Sequence, residues 1–233
     1  MKILAIETST YAGSIAVLEN ERILGEYYFD IGPAHTEKLV PSIDWLLSEL
    51  AIDKSDLTAI AVSLGPGSFT SLRVGISTAK GLCYSLGIPL VGVSSLKALA
   101  MNLLFSPYNI CPLIDARKGE VFVALFRSNR GILERLLEDV VVSPEELVNL
   151  INDNTIFLGD GSLLYKDYLE DNLSHDIMFS PVNINFPRAS NLVLSEIGKF
   201  KEDRDNSYLC NEIMNLAPHY LRKSEAEISK EGR

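Results

Sequence analysis

The chain has 233 residues, which suits one large domain or two small ones. Apolar residues make up 47% and charged residues 22%, a globular balance that excludes a mainly disordered chain. The formal net charge is −10 and the sequence has no basic run, which argues against a protein that grips nucleic acid by itself. Every stretch of about 20 residues contains charged or turn residues, so the sequence predicts no membrane span.

The amino-terminal sequence and the cysteines both bear on the compartment. Residues 1–10, MKILAIETST, predict a first strand and lack the apolar core and cleavage site of a secretion signal. The three cysteines are far apart and include no Cys-x-x-Cys pair: Cys83, Cys111 and Cys210. This pattern favours free thiols in a reducing cytoplasm over a disulfide framework or a zinc site. We therefore expect a cytoplasmic protein.

Apolar periodicity in the first half predicts three strands joined by short turns, followed by alternating helices and strands. Leu39, Ile43 and Leu47 share one helical face, Thr36 is a candidate cap, and Pro41 is expected in or near the first turn, since otherwise it would kink the helix. In chain order the predicted elements are strands at 3–6, 14–18 and 23–29, a helix at 39–50, a strand at 58–64, a helix at 71–86, a strand at 90–93 and a helix at 95–104.

The same pattern restarts in the second half. Ser143 and Pro144 predict a helix start, with a cap and a proline at the first helical position. The predicted elements are strands at 110–115, 121–127 and 134–142, a helix from 144, a strand at 155–158, a helix near 163–171 and a helix at 189–201. The order βββαβαβα followed by βββαβαα predicts two α/β lobes, residues 1–107 and 108–233, with the last helix able to pack back on the first lobe.

This layout and three sequence blocks carry a family resemblance. The blocks are IETST at 6–10, LGPGSFT at 64–70 with LRVG at 72–75, and DAR at 115–117 followed by EV at 120–121. A βββαβαβα unit used twice resembles the two-lobed actin-like (ASKHA) fold, in which each lobe is a mixed sheet with helices. With its blocks, the chain resembles the bacterial TsaB (YeaZ) family from residue 1 to about 222.

The resemblance implies a function and a set of partners. TsaB is the non-catalytic companion of the enzyme TsaD, and the pair acts with the ATPase TsaE to make threonylcarbamoyladenosine next to the anticodon of tRNAs. The resemblance therefore implies a scaffold and activator that contacts TsaD directly, TsaE through the complex and tRNA only indirectly. It implies no membrane contact, and it implies a homodimer when the chain is isolated.

The residues argue against a catalytic metal. The catalytic relative carries two histidines four apart after the strand that corresponds to 90–93, a spacing that lets both ligate one ion. In this chain those places hold Ser95 and Leu99, and Lys97 adds a positive charge between them. The histidines are dispersed along the chain: His35, His175 and His219. The sequence predicts no bound metal and no catalytic residue.

Two turns are candidates for a vestigial nucleotide site. Actin-like ATPases meet phosphate with backbone N–H groups of such turns. The first turn follows the first strand and has no Lys, and the second contains a negative charge at Asp160. The candidate residues are Glu7, Thr8, Ser9, Thr10, Gly159 and Gly161. No Walker A pattern is present, so we expect no cofactor beyond weak or partner-assisted ATP or ADP.

Other enzyme classes stay open as alternatives. A free-standing actin-like ATP hydrolase or an M22-type peptidase, either of them acting as a homodimer, is the main one. The sequence contains neither a G-x-S-x-G elbow nor an H-E-x-x-H motif, although a serine triad can be scattered along a chain. The segment Gly65-Pro66-Gly67 lacks the third glycine of a dinucleotide fingerprint, so it predicts a rigid entry to the following helix.

The helix at 71–86 is the candidate docking element. Gly75 and Ala79 are four apart, so another helix backbone could approach closely there. One apolar stripe of this helix can face the sheet of its own lobe, and a second stripe can face either the helix at 39–50 or, as the resemblance implies, a helical bundle with TsaD. Arg73 and Lys80 would form its charged rim. The predicted partner interface is His35, Leu39, Ile43, Arg73, Val74, Gly75, Thr78, Ala79, Lys80 and Leu82.

A strand–turn–strand junction in the second half carries opposite charges. Asp115 and Arg117 are predicted to form an ion pair that fixes this turn, close to Glu120. A contact between the lobes or with a partner is the alternative for these residues.

Overall fold

The computed structural model describes residues 1–30, 35–201 and 215–222, with backbone alone at residues 35 and 36. The first half of the chain contains β1 (Lys2–Glu7), β2 (Ala12–Glu19), β3 (Arg22–Asp30), α1 (His35–Glu49), β4 (Ala59–Gly65), α2 (Phe69–Leu86), β5 (Leu90–Ser94) and α3 (Ser95–Ala100). The second half contains β6 (Asn109–Arg117), β7 (Glu120–Asn129), β8 (Ile132–Val142), α4 (Pro144–Leu150), β9 (Thr155–Leu158), α5 (Asp160–Leu164), α6 (Lys166–Asn172), β10 (Ile177–Phe179), α7 (Ala189–Leu194) and α8 (Ile197–Lys201).

Each half forms a five-stranded mixed sheet with the same internal order. The strand orders are β3-β2-β1-β4-β5 and β10-β9-β6-β7-β8. In each sheet the first three strands are antiparallel, and the next strands run parallel to the first one. The predicted pair of α/β lobes is therefore confirmed. The sequence missed β10 because three residues are too few for a periodic pattern.

The helix α1 begins earlier than its apolar stripe indicates. It starts at His35, so Pro41 lies inside the helix, beyond its first turn. Leu39, Ile43 and Leu47 are buried in the core of the first lobe, where they pack with residues of β1 and β2. This apolar face, and not the intrinsic preference of proline, determines where the helix lies.

The helix α2 is bounded by clear local signals. Ser68 occupies the N-cap position, although its side chain makes no capping hydrogen bond, and Gly87 ends the helix in the left-handed region at φ 66°. The Gly87 N–H donates to the carbonyl of Cys83 at 2.9 Å. A residue without a Cβ suits this C-terminal position, so the helix ends where its sequence predicts.

Two predicted helices are broken in the structure. The segment 189–201 forms α7 and α8, separated at Ser195, whose hydroxyl donates to the carbonyl of Leu192 at 3.3 Å. A serine side chain that bonds the backbone competes with the helix in this way. The segment 163–171 forms α5 and α6, with the break at Tyr165 (φ −110°, ψ 16°).

The packing of two helices does not follow the order of the chain. On α3, Leu96 and Leu99 are buried against Ile110 and Ile114 of β6, in the second sheet. In the opposite direction, α7 of the second half packs on β1 and β2, in the first sheet. The predicted boundary at residue 107 remains a prediction, because each half contributes a helix to the sheet of the other.

The segment 215–222 also connects the lobes. Its Leu216 packs on the core of the first lobe, and Leu221 packs on a core of the second lobe. The His219 N–H donates to the carbonyl of Leu64 at 2.7 Å, and Arg222 forms an ion pair with Glu120 at 3.0 Å. We call residues 215–222 the carboxyl-terminal strap.

Candidate functional site

The first candidate turn uses its own carboxylate as a hydrogen-bond acceptor. Glu7 is buried at the end of β1, and its Oε1 accepts a hydrogen bond from the Ser9 N–H at 2.6 Å. The Thr8 N–H donates to the hydroxyl of Ser63 at 3.3 Å. Burial raises the pKa of the Glu7 carboxyl, and hydrogen bonds from Ser9 oppose this shift. Two N–H groups that could meet a phosphate are thus engaged inside the chain.

The glycine-rich block 64–75 closes over this turn. The Ser68 N–H donates to the carbonyl of Ser9 at 2.7 Å, and the Thr8 hydroxyl donates to the carbonyl of Ser71 at 3.0 Å. A Cβ at Gly67 would lie closer than 3.0 Å to the carbonyl of Ser9. The blocks at 6–10 and 64–75 are therefore two halves of one contact.

Gly75 belongs to the same contact, and this corrects the prediction made for it. A Cβ at Gly75 would lie closer than 3.0 Å to the Oγ1 of Thr8, so the glycine admits the turn after β1 and not a second helix backbone. Ala79 is fully buried in the core of the first lobe. Neither residue is available on the surface of α2.

The second candidate turn also contains a carboxylate as its acceptor. The Oδ1 of Asp160 accepts hydrogen bonds from the Asp115 N–H at 3.0 Å and the Gly161 N–H at 2.8 Å. The Gly159 N–H donates to the Oδ1 of Asn185 at 2.9 Å. Burial raises the pKa of the Asp160 carboxyl, with Asp115 adding to the rise. A phosphate at this turn would have to displace a negative group already bonded to its N–H donors.

These geometries bear on the expected cofactors without testing them. The structure brings Glu7, Thr8 and Ser9 together in one buried network, and it places Gly159 and Gly161 in a separate turn of the other lobe. Within residues 1–30, 35–201 and 215–222, no group of three His, Cys, Asp or Glu side chains could hold a metal ion. Nucleotide contact at these turns stays a prediction.

The positions that correspond to the histidines of the catalytic relative are inside the molecule. Ser95 and Leu99 are both fully buried on α3, and Leu99 packs in an apolar core of the second lobe. Lys97 forms an ion pair with Glu196 at 2.7 Å. These residues of α3 therefore contribute packing and an ion pair with the segment that follows α7.

The predicted partner residues divide into a buried set and a surface set. Leu39 and Ile43 are buried in the core of the first lobe, which corrects their assignment to the interface. Half-buried positions on α2 are Val74, Thr78, Lys80 and Leu82, and Arg73 is exposed. Val74 and Leu82 pack partly on the same core, which favours the open alternative that this stripe meets its own lobe. The side chain of His35 lies outside the described part of the chain.

Larger apolar side chains lie on the outer faces of the two helices. Val40 and Trp45 of α1 are 51% and 50% exposed, and Tyr84 of α2 is 70% exposed. The helices α1 and α2 contact each other, and Trp45 also packs edge-on against Tyr27 of β3, with ring centres 5.2 Å apart. We call Val40, Trp45 and Tyr84 the outer helical face. The sequence analysis did not predict this face. The available signal was that all three large apolar residues lie off the apolar stripes that face the core.

Arg73 is engaged within the chain. Its guanidinium carbon lies 3.7 Å from the centre of the Phe69 ring, and its Nε donates to the Tyr220 hydroxyl at 2.8 Å. Phe69 and Tyr220 stack with ring centres 4.5 Å apart. This cluster fastens the carboxyl-terminal strap to the start of α2, so Arg73 is a structural contact in the monomer as well as a candidate rim residue.

The charged turn of the second lobe has both of the roles that the sequence left open. Asp115 and Arg117 form an ion pair at 3.3 Å, and the Arg117 N–H donates to Asp115 at 2.8 Å. The Arg117 guanidinium also lies 4.8 Å from the centre of the Tyr11 ring, in the first lobe. The pair thus fixes its own turn and touches the other lobe.

A cleft of about 460 Å³ lies between the lobes. Thr10 and Tyr11 line it from the turn after β1, and Asp160 lines it from the start of α5. Of the predicted nucleotide residues, only Thr10 lies in its wall. No helix within the described residues combines the length and the apolar character needed to cross a bilayer.

The duplicated mixed sheets, the turns at their strand ends and the cleft between them define a two-lobed α/β protein of the actin-like fold. A component of (R)-2-hydroxyglutaryl-CoA dehydratase from Acidaminococcus fermentans, component A, shares this fold with a TM-score of 0.52 at 12% identity, over 87% of this chain and 100% of that one. The family model for TsaD, described as tRNA N6-adenosine threonylcarbamoyltransferase, matches residues 30–230.

The sequence relatives are more specific. The tRNA threonylcarbamoyladenosine biosynthesis protein TsaB of Bacillus subtilis is 35% identical over 230 residues, covering 97% of this chain and 96% of the relative. The Escherichia coli protein of the same name is 28% identical and covers 97% and 96%. The chain belongs to the TsaB (YeaZ) family, whose named members act in the biosynthesis of threonylcarbamoyladenosine in tRNA.

Solved structures agree with this assignment. YeaZ from Pseudomonas aeruginosa has a TM-score of 0.76 at 27% identity and covers 94% of this chain and 99% of that one. A second chain, described as an uncharacterized protein with similarity to peptidase YEAZ from Pseudomonas aeruginosa, has a TM-score of 0.77 at 26% identity, with 95% and 99% covered.

Proposed function

We propose that this chain is a non-catalytic cytoplasmic subunit that docks and activates TsaD during threonylcarbamoylation of tRNA. TsaD carries the chemistry, TsaE joins through the complex, and tRNA contacts this chain only indirectly. The observation that carries the proposal is the outer helical face, where three large apolar side chains are half or more exposed on adjacent helices. TsaD is the occupant that membership of the TsaB family implies, and the match to the TsaD family model indicates that the two proteins are related in sequence.

The interior of the chain supports the non-catalytic part of the proposal. The carboxylates of Glu7 and Asp160 accept the hydrogen bonds of N–H groups that a bound phosphate would need. Binding energy at the outer helical face would then favour the active arrangement of the partner, which is a shift of population and not a chemical step. The same apolar face can pair two copies of the chain when TsaD is absent.

The docking surface makes a direct prediction. Tyr84→Glu places a charge on the outer helical face, so the affinity for TsaD should fall by about tenfold or more, because a desolvated unpaired charge costs several kcal/mol. Titration calorimetry with purified TsaD measures the change. Ile132→Glu is the matched control, because Ile132 is 69% exposed on β8 of the other lobe. Unchanged binding by Tyr84→Glu, at an unchanged melting temperature, would reject the proposed surface.

Reconstitution tests the role itself. Modified tRNA should form when TsaD, TsaE and this chain are present together with substrates, and the yield should fall when this chain is omitted. The alternative is a free-standing ATP hydrolase or peptidase, which the similarity to a chain described with a peptidase name keeps as the second candidate. ATP turnover, peptide cleavage or tRNA modification by the isolated chain would overturn the non-catalytic assignment.

A further inference from the structure

The cleft between the lobes combines aromatic rings with carboxylates. Tyr11 and Tyr28 reach it from the first lobe, and Phe186 reaches it from the segment between β10 and α7. Asp30 stands at the end of β3, and Asp160 at the start of α5. No lysine, arginine or histidine is among the described residues that line it. The walls therefore present negative charge beside flat apolar surface.

The carboxylates of Asp160 and Asp30 set the charge inside the cleft. Only the Oδ1 of Asp160 accepts backbone N–H groups, and within the described chain its Oδ2 has no hydrogen-bond partner. Burial raises the pKa of the Tyr28 phenol, and the charge of Asp30 raises it further. The Tyr28 ring packs on Phe186 with centres 4.0 Å apart, so this wall is held in place. A cation in the cleft would meet two carboxylates without displacing any internal pair.

The rim of the cleft already holds one guanidinium against an aromatic ring. Arg117 lies over Tyr11, with 4.8 Å between the guanidinium carbon and the ring centre. Burial raises the pKa of Asp160, whereas the charge of Arg117, which is also paired with Asp115 at 3.3 Å, opposes that rise. A planar cation suits such a site, because it stacks on aromatic faces and forms two parallel hydrogen bonds with a carboxylate.

We propose that this cleft binds a small organic cation, a guanidinium group carried on an apolar stem. The planar cation lies between the tyrosine rings and the carboxylates of Asp30 and Asp160, and the stem contacts Leu163 and Val182. A phosphate-bearing ligand is disfavoured here, because its charge would face both carboxylates. This site is independent of the outer helical face and of any contact with TsaD.

A matched pair of probes tests the proposal. n-Butylguanidinium and n-butylurea have nearly the same shape, but only the first is charged. Calorimetric titration of the full chain should give saturable one-to-one binding of n-butylguanidinium and binding about tenfold weaker, or none, for n-butylurea. Equal binding of the two probes, no saturable binding of the cation, or its displacement by ATP would overturn the proposal.

Variants locate the site within the molecule. Asp30→Asn removes an exposed carboxylate, and Tyr28→Leu removes a ring while keeping an apolar side chain. Each should weaken n-butylguanidinium by about threefold to tenfold without changing the circular dichroism spectrum. Asp171→Asn on α6, which is exposed and does not line the cleft, is the control and should bind as the parent does. Parent-like affinity in both cleft variants would place the cation elsewhere.

Discussion

At the scale of single residues, each lobe uses one carboxylate to accept backbone N–H groups at the end of a strand. Glu7 accepts from Ser9, and Asp160 accepts from Asp115 and Gly161. The Oε2 of Glu7 is buried without a hydrogen-bond partner in the described chain. Such a group costs free energy when it is charged, and it is less costly when it is protonated.

The raised pKa of Glu7 makes a prediction about pH. A carboxyl with a raised pKa in the folded state stabilises the fold below its unfolded value, about 4.5, and this contribution is lost as the pH rises through the folded pKa. Glu7→Gln removes this dependence while Oε1 can still accept from Ser9. The free energy of unfolding of Glu7→Gln, relative to the parent, should therefore increase as the pH rises from about 4.5.

Urea unfolding at a series of pH values measures the effect. Glu49→Gln, an exposed carboxyl in the last turn of α1, is the control and should show no comparable trend. A parallel pH dependence for Glu7→Gln and the parent would show that Glu7 is not the group responsible.

At the scale of elements, α2 is a helix whose two interior glycines have opposite roles. Gly75 is buried against Thr8, and it is required because a side chain there would collide with the turn after β1. Gly81 has no other residue within 4 Å of the position of a Cβ. One glycine is therefore needed for packing, whereas the other only lowers the helix propensity.

Alanine at these two positions should change stability in opposite directions. Gly81→Ala should stabilise the chain by up to about 1 kcal/mol, because alanine favours a helix more than glycine does. Gly75→Ala should destabilise it by about 1–3 kcal/mol, because Thr8 is held by its hydrogen bond to Ser71 and cannot move freely. Urea denaturation of both variants compares them directly. Stabilisation by Gly75→Ala would contradict the contact with Thr8.

At the scale of the whole molecule, three features bind the lobes together. The helices α3 and α7 each pack on the sheet of the other half, and the carboxyl-terminal strap contacts a core in both lobes. Glu26 of β3 forms an ion pair with Arg188 and accepts the Ser190 N–H at 2.9 Å. Because α3 and α7 each cover part of the other half's sheet, each sheet would lose part of its cover without the other half.

We therefore expect a single cooperative unfolding transition. The only tryptophan, Trp45, is in α1 of the first lobe, so its fluorescence reports on that lobe, whereas far-UV circular dichroism reports on both. The two signals should give the same urea midpoint. Glu26→Gln should lower that midpoint and keep the signals coincident. Two separate midpoints in the parent would show that the lobes unfold independently.

Local patterns in the sequence determined the order of the elements, the duplication of the halves and the family. Apolar periods of 2 and 3.6 residues predicted the long strands and helices, because these patterns depend on neighbouring residues alone. They did not reveal that Gly75 meets Thr8, that α3 and α7 change lobes, or that Leu39 and Ile43 are buried away from a partner. Those facts join residues tens of positions apart, and only the tertiary packing brings such residues together. The aromatic and acidic cleft has the same origin, because its walls come from residues 10–30 and 160–186 and no single segment contains them.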